Sequence, residues 1–301
     1  MVRDARGSVT RLSADDVLEL GRLYRATTSD LAIARRDFAR DVATERLNDL
    51  VAAAHALVYS EAPTSGRRLR RFVLRELPAN ARAQLPWTGA AFAIFAVFAL
   101  ATFVLGLLLP EVAQHSVPDE VREQLAQRQL WTNIPEGYRP IAGPVIIVNN
   151  VRVALVLFAG GMTAGVLTVY GLAANGALIG TIFAVVQGYG LAGGLLSFIS
   201  GHGPLELSAI FISGGAGLRI AWAILRPGER SRRDALRLAG AQAVLTIVLV
   251  IAVLGVAGLI EAFLSPSGAS EIVKAAVGIV TGALLWFYIL VVGRVRRDST
   301  A

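Results

Sequence analysis

The feature that most limits what this chain can fold into is a run of apolar blocks, each about as long as a bilayer is thick. A helix crosses the hydrocarbon core in about 20 residues, and only a helix or a closed barrel can do so with its backbone polar groups satisfied. Residues 88–109 meet that length without a charge. Residues 144–171 meet it too, with Asn149, Asn150 and Arg152 near their start. Residues 176–189 form a shorter block that runs into a glycine-rich stretch ending at Ser200. Residues 204–225 contain Glu206 and Arg219, 238–260 are uncharged with Glu261 just beyond, and 272–292 close the series. The expectation is an all-α polytopic membrane protein with a six-span transmembrane domain over 88–293. Composition agrees: 54% of the chain is apolar and only 17% charged, below the roughly 25% charge of soluble domains. An ordinary soluble domain and a disordered chain are both excluded. The absence of cysteine excludes disulfides and thiol chemistry.

Residues 1–87 are different, with 15 arginines and 11 acids. No apolar signal segment occurs between Met1 and Arg25. Ser13 followed by Asp16 marks a helix start, and Leu20, Leu23, Tyr24, Leu31 and Phe38 recur at near-helical spacing. A second helix is expected over 45–59, then a breaker over 61–66. Residues 1–66 therefore read as a cytoplasmic helical hairpin. Residues 67–87 read as a basic amphipathic juxtamembrane helix. Leu69, Phe72, Val73 and Leu77 share one face, and Arg67, Arg68, Arg70, Arg71 and Arg75 lie on the flanks and opposite side. Such a helix suits an anionic inner leaflet, where each arginine contributes about 1 kcal/mol; the other reading is a solvated helix packed on the hairpin. Basic and aromatic residues do not interleave, so no nucleic-acid partner is expected.

Loop charge sets the expected orientation. The balance is +4 for residues 1–87, +3 for 226–237 and +2 for the basic tail 294–301, against −2 for 111–143. Six alternating spans put the three positive segments on one side. The chain is thus expected in the cytoplasmic (inner) membrane with both termini cytoplasmic. Small-residue pairs four apart occur at Gly161/Gly165, Gly176/Gly180, Gly190/Gly194 and Gly278/Gly282. They permit close helix approach in lipid, which suggests a tight hairpin of the second and third spans. They also suit a homodimer, although no heptad pattern specifies one.

Ionisable groups inside spans are expensive and mark functional sites. In the expected topology Asn149, Asn150, Arg152, His202, Glu206 and Glu261 share one outer membrane level, while Arg219 lies near the cytoplasmic end and can snorkel. The segment from Gly201 to Leu207 allows two readings. In one, Gly203 caps a helix, Pro204 opens it and Glu206 faces the macrodipole. In the other, His202 and Glu206 are half of a polar site completed by Glu261 and Asn149 or Asn150, with Arg152 as counter-charge.

These residues carry a family resemblance. Asn149-Asn150-Val-Arg152, Phe158-Ala-Gly160-Gly161, Asn175-Gly176-Ala-Leu-Ile-Gly180, His202-Gly203-Pro-Leu-Glu206-Leu207, Gly217-Leu-Arg219 and Glu261-Ala-Phe263 resemble, in order and spacing, the stage II sporulation protein M family over about 145–265. The resemblance implies a polytopic membrane component of a cell-envelope process. In spore formers such a protein serves the engulfment machinery beside partners that degrade peptidoglycan. It also strengthens the reading of a polar binding site made of Asn149, Asn150, Arg152, Asn175, His202, Glu206 and Glu261.

Three functions follow as expectations. The first is a membrane scaffold or assembly factor, with envelope or peptidoglycan-remodelling proteins as partners and a structural polar cluster. The second is a metal-dependent intramembrane hydrolase. His202, Glu206 and Glu261 offer one nitrogen and two carboxylates, a set that zinc accepts. Only three histidines exist, however, and no HExxH or GxSxG motif is present, so no catalytic residue or cofactor is assigned. The third is a channel or transporter using Glu206 and Glu261, with Asn175 in the central hairpin. A short third span and a glycine-rich break would suit it.

Overall fold

A computed structural model describes residues 14–38, 41–58, 66–132, 137 and 139–294. The described residues are helical, with no strand among them. The chain divides into two compact units, Met1–Arg70 and Arg71–Ala301.

In the first unit, α1 (Ala14–Asp37) and α2 (Val42–Val58) pack together. Asp41 starts α2 by accepting the Ala43 N–H on its carboxylate at 2.7 Å. Leu20, Leu31, Thr44 and Ala54 are buried, and Tyr24 Oη bonds His55 Nδ1 at 2.8 Å. Leu23 and Phe38, which recur at the same near-helical spacing, are exposed. The two-helix contact is too narrow to cover a full apolar stripe. Ser13, Tyr59 and residues 61–65 of the breaker lie outside the described residues, as does the tail beyond Arg294.

α3 (Gly66–Arg71) continues through a π turn at Phe72–Glu76 into α4 (Leu77–Ala83). The π turn shifts the helical phase, so the expected apolar face does not stay in line. Leu69 and Val73 are exposed, whereas Leu77, Pro78 and Ala81 are buried in the second unit. There α4 is anchored by polar bonds. Asn80 Nδ2 donates to the Gln242 carbonyl at 2.9 Å and to Thr246 Oγ1 at 3.0 Å. Arg82 donates to the Leu290 carbonyl, and Tyr288 Oη to that of Val73.

Among the described residues, six helices are long and apolar enough to cross a membrane: Leu85–Leu108, Gly143–Thr163, Val166–Gly188, Gly203–Leu225, Arg232–Leu264 and Glu271–Val292. They correspond to α5 (Leu85–Leu108), α8 (Arg139–Ala159, with a 3₁₀ turn to Thr163), α9 (Val166–Gly188), α11 (Gly203–Leu225), α12 (Arg232–Leu259, with a π turn at Ile260–Leu264) and α13 (Glu271–Phe287, with a π turn at Tyr288–Val292). Shorter helices α6 (Pro110–His115), α7 (Asp119–Ala126) and α10 (Ala192–Ser200) lie between spans. Ser231 and Ser270 accept the Asp234 and Val273 N–H groups, capping α12 and α13.

Two expectations about the spans need correction. The third span is not short. The second ends at Thr163, and the chain turns at Ala164 and Gly165 with φ of +52° and +88°. Hydropathy passes over this turn because apolar residues fill both sides of it. Nor do the glycines of the second and third spans face one another. A Cβ at Gly176 would collide with the Phe95 carbonyl oxygen and one at Gly180 with that of Ala99, so α9 packs against α5. Gly161 instead meets Gly217 on α11. α11 is the central helix, with many buried residues from Leu205 to Ala221, whereas α5 is largely exposed. Its Leu205, Ala209 and Ile212 form a core with Ala154 of α8 and with Leu249, Val250, Val253 and Ala257 of α12.

Candidate functional site

A break between α10 and α11 builds the site. α10 ends at Ser200, where a Cβ on Gly278 of α13 would strike the Ser200 carbonyl oxygen. This close approach holds the break against the bundle. The Leu205 and Glu206 N–H groups donate to the His202 carbonyl at 3.0 and 3.1 Å. His202 is therefore the cap, Gly203 the first helical residue and Pro204 the second, one step earlier than the Gly203 cap read from the sequence. The His202 side chain makes no capping bond, which leaves it available to the site.

His202 is 3% exposed. Its Nδ1 pairs with Ser265 Oγ at 2.8 Å, its Nε2 lies 3.9 Å from Glu206 Oε2, and the Phe198 ring meets it edge-on. Glu206 sits in the first turn of α11, where the helix dipole favours an acid. Its Oε1 accepts from Asn150 Nδ2 of α8. Glu261 enters from the π turn that ends α12, a distortion often found at functional sites. One ligand atom from each of His202, Glu206 and Glu261 lies within 4.8 Å of the others. Glu261 Oε2 is buried without a hydrogen-bond partner. Two carboxylates this close in a water-poor site require a proton or a cation between them. One imidazole and two carboxylates, one of which keeps an unpartnered oxygen, are donors that a divalent ion accepts.

Other expected members stand apart. Asn149 and Arg152 are exposed, and Arg152 forms no ion pair with either acid. Residues 150 and 152 are about 200° apart around a helix, so turning Asn150 toward α11 turns Arg152 away. The counter-charge assigned to Arg152 is thus corrected. Asn175 donates to the Gly171 carbonyl of its own helix at 2.8 Å. Arg219 is not simply a snorkelling residue, because its Nη1 is buried without a partner. Arg68, Arg70, Arg71 and Arg75 are exposed, Arg71 pairing with Glu76 at 3.3 Å. The Arg67 side chain lies outside the described residues.

Two residues were not picked out as site members from the sequence. Ser265 lies in an ordinary Ser-Pro-Ser turn that carried no signal. Lys274 did carry one, as the sole lysine of the chain. It is 9% exposed, and its Nζ donates to the Ser265 carbonyl at 2.8 Å.

A family model, stage II sporulation protein M, matches residues 91–266. The chain belongs to that family. A second model, a domain of unknown function, matches residues 2–60. No curated protein and no solved structure gives a significant match. The stretch shared with the stage II sporulation protein M family contains Asn150, His202, Glu206, Glu261 and Ser265, while Lys274 lies beyond it.

Proposed function

We propose that this protein is an integral component or assembly factor of a cell-envelope process, seated in the cytoplasmic membrane with both termini cytoplasmic. Its partner class is the peptidoglycan-remodelling proteins that the family resemblance implies. Membership of the stage II sporulation protein M family supports the membrane role. The positive balance of 1–87, 226–237 and 294–301 against a negative 111–143 supports the orientation. The exposed Arg68, Arg70, Arg71 and Arg75 beside the exposed Leu69, Val73 and Leu74 support contact with an anionic inner leaflet.

One observation carries the reading. Asn150 bonds Glu206 and so joins α8 to α11, and Glu261 brings the end of α12 to within 4.8 Å of the same carboxylate. A polar tie of this kind fixes one arrangement of spans for a partner to recognise. The test is Glu206→Gln in the native host, scored by membrane level of the protein and by cross-linking to a defined peptidoglycan-remodelling partner. The expected result is continued insertion with lost cross-linking. Substrate turnover by the purified protein alone would overturn the reading as a complete account.

The orphaned Glu261 Oε2 favours a second reading, in which His202, Glu206 and Glu261 hold a divalent cation such as zinc. Metal analysis of purified protein should then find about one equivalent, lost in His202→Ala. Metal-free wild-type protein after loading with zinc would remove this reading.

A further inference from the structure

Beside the polar tie, a separate cavity of about 420 Å³ opens among the segment after α7, α10, the turn after α12 and the start of α13. Small-molecule sites commonly fall between about 300 and 1,000 Å³. Its polar lining includes Arg128, Gln129, Thr132, Ser197, Glu271 and Lys274. Ser265, whose hydroxyl pairs with His202, also lines it.

Two features set this cavity apart from an incidental crevice. The first is Lys274. A lone lysine in a chain that otherwise uses only arginine is nearly buried here, although a lysine is costly to bury in a membrane protein. One ammonium N–H goes to the Ser265 carbonyl; an ammonium has three donors. The second is Arg128. It stands at φ +59°, in the left-handed region, just after α7. The Arg128 N–H donates to the Leu125 carbonyl at 2.9 Å and the Gln129 N–H to that of Gln124 at 2.9 Å. This pair of bonds is the Schellman ending, whose left-handed position normally belongs to glycine. Arginine is strained there, and strain of this kind concentrates at ligand sites.

We propose that this cavity binds a phosphorylated polyol, either free or as the head group of a phospholipid. Arg128 and Lys274 supply positive charge, and the Gln129 amide and the Thr132 and Ser197 hydroxyls supply further donors for phosphate oxygens. Glu271, an acceptor, suits a polyol hydroxyl and disfavours an anion without one. A metal cation would meet two positive charges, so the cavity differs in ligand class from the neighbouring His202, Glu206 and Glu261.

The test uses the full chain in a neutral detergent, with glycerol 3-phosphate and phosphatidylglycerol as separate probes. Thermal melting and native mass spectrometry report binding. Wild-type protein should bind at least one probe, and Lys274→Gln and Arg128→Gly should each weaken that binding about tenfold or more. Arg128→Gly also relieves the left-handed strain, so it should melt no lower than wild type, which separates lost binding from lost folding. Retention of phosphatidylglycerol alone identifies a lipid source, and binding of glycerol 3-phosphate alone identifies a free ligand. Absence of both, unchanged binding in both variants, or equal binding of inorganic sulfate would overturn the proposal.

Discussion

Ser265 holds the His202 ring through a 2.8 Å hydrogen bond at Nδ1, and this bond turns Nε2 toward Glu206, 3.9 Å away. Without that bond the ring is held only by packing, including the edge-on contact with Phe198. If a divalent ion is bound, Ser265→Ala should lower its affinity by about 10–100-fold, as loss of an orienting partner does at other metal sites. Titration of metal-stripped protein with zinc measures this. Unchanged affinity would show that Ser265 does not orient a ligand.

Asn150 and Arg152 are two residues apart and should behave in opposite ways. Asn150→Leu removes the donor to Glu206 Oε1 and should cost about 1–3 kcal/mol. Arg152→Gln changes an exposed side chain and should stay within about 0.5 kcal/mol. Unfolding in detergent micelles compares the two. Equal losses would restore Arg152 to the site.

Close packing of α9 on α5 makes Gly176 sensitive. Gly176→Ala forces a methyl group onto the Phe95 backbone and should destabilise by about 1–3 kcal/mol. At Gly188 nothing lies within 4 Å of an added Cβ, so Gly188→Ala should be neutral or stabilise by up to about 1 kcal/mol through helix propensity. Melting temperatures of the two variants provide the check.

Gln84 is fully buried and donates through Nε2 to Thr246 Oγ1, while its own Oε1 has no partner. Removing one member strands the other. Thr246→Val should therefore cost about 1–3 kcal/mol, and adding Gln84→Leu should recover only the part due to Gln84, because Thr246 Oγ1 also accepts from Asn80 Nδ2. A double-mutant cycle measures the recovery. A double variant as unstable as the sum of both singles would contradict the pairing.

The cysteine-free sequence makes orientation directly measurable. A membrane-impermeant maleimide should label Glu123→Cys in intact cells and Arg230→Cys only after permeabilisation. The reverse pattern would invert the proposed topology.

The sequence determined the count of six spans and the all-helical class, because a helix in lipid must satisfy its own backbone and needs a fixed apolar length. It also singled out His202, Glu206 and Glu261, since polar groups in apolar blocks are costly. Hydropathy is a one-dimensional measure, and it missed the turn at Ala164 and Gly165 where both neighbours are equally apolar. It left Asn149 and Asn150 as alternatives and kept Arg152 as counter-charge, because these assignments depend on which face of α8 meets α11. Nor could it assign the glycines of α9 to α5. In lipid, apolar side chains gain little by leaving the solvent, so shape fit and interhelical hydrogen bonds select the partners. Those exist only in the folded bundle. The same holds for Ser265 and Lys274, brought to His202 and to a common cavity by the turn that follows α12.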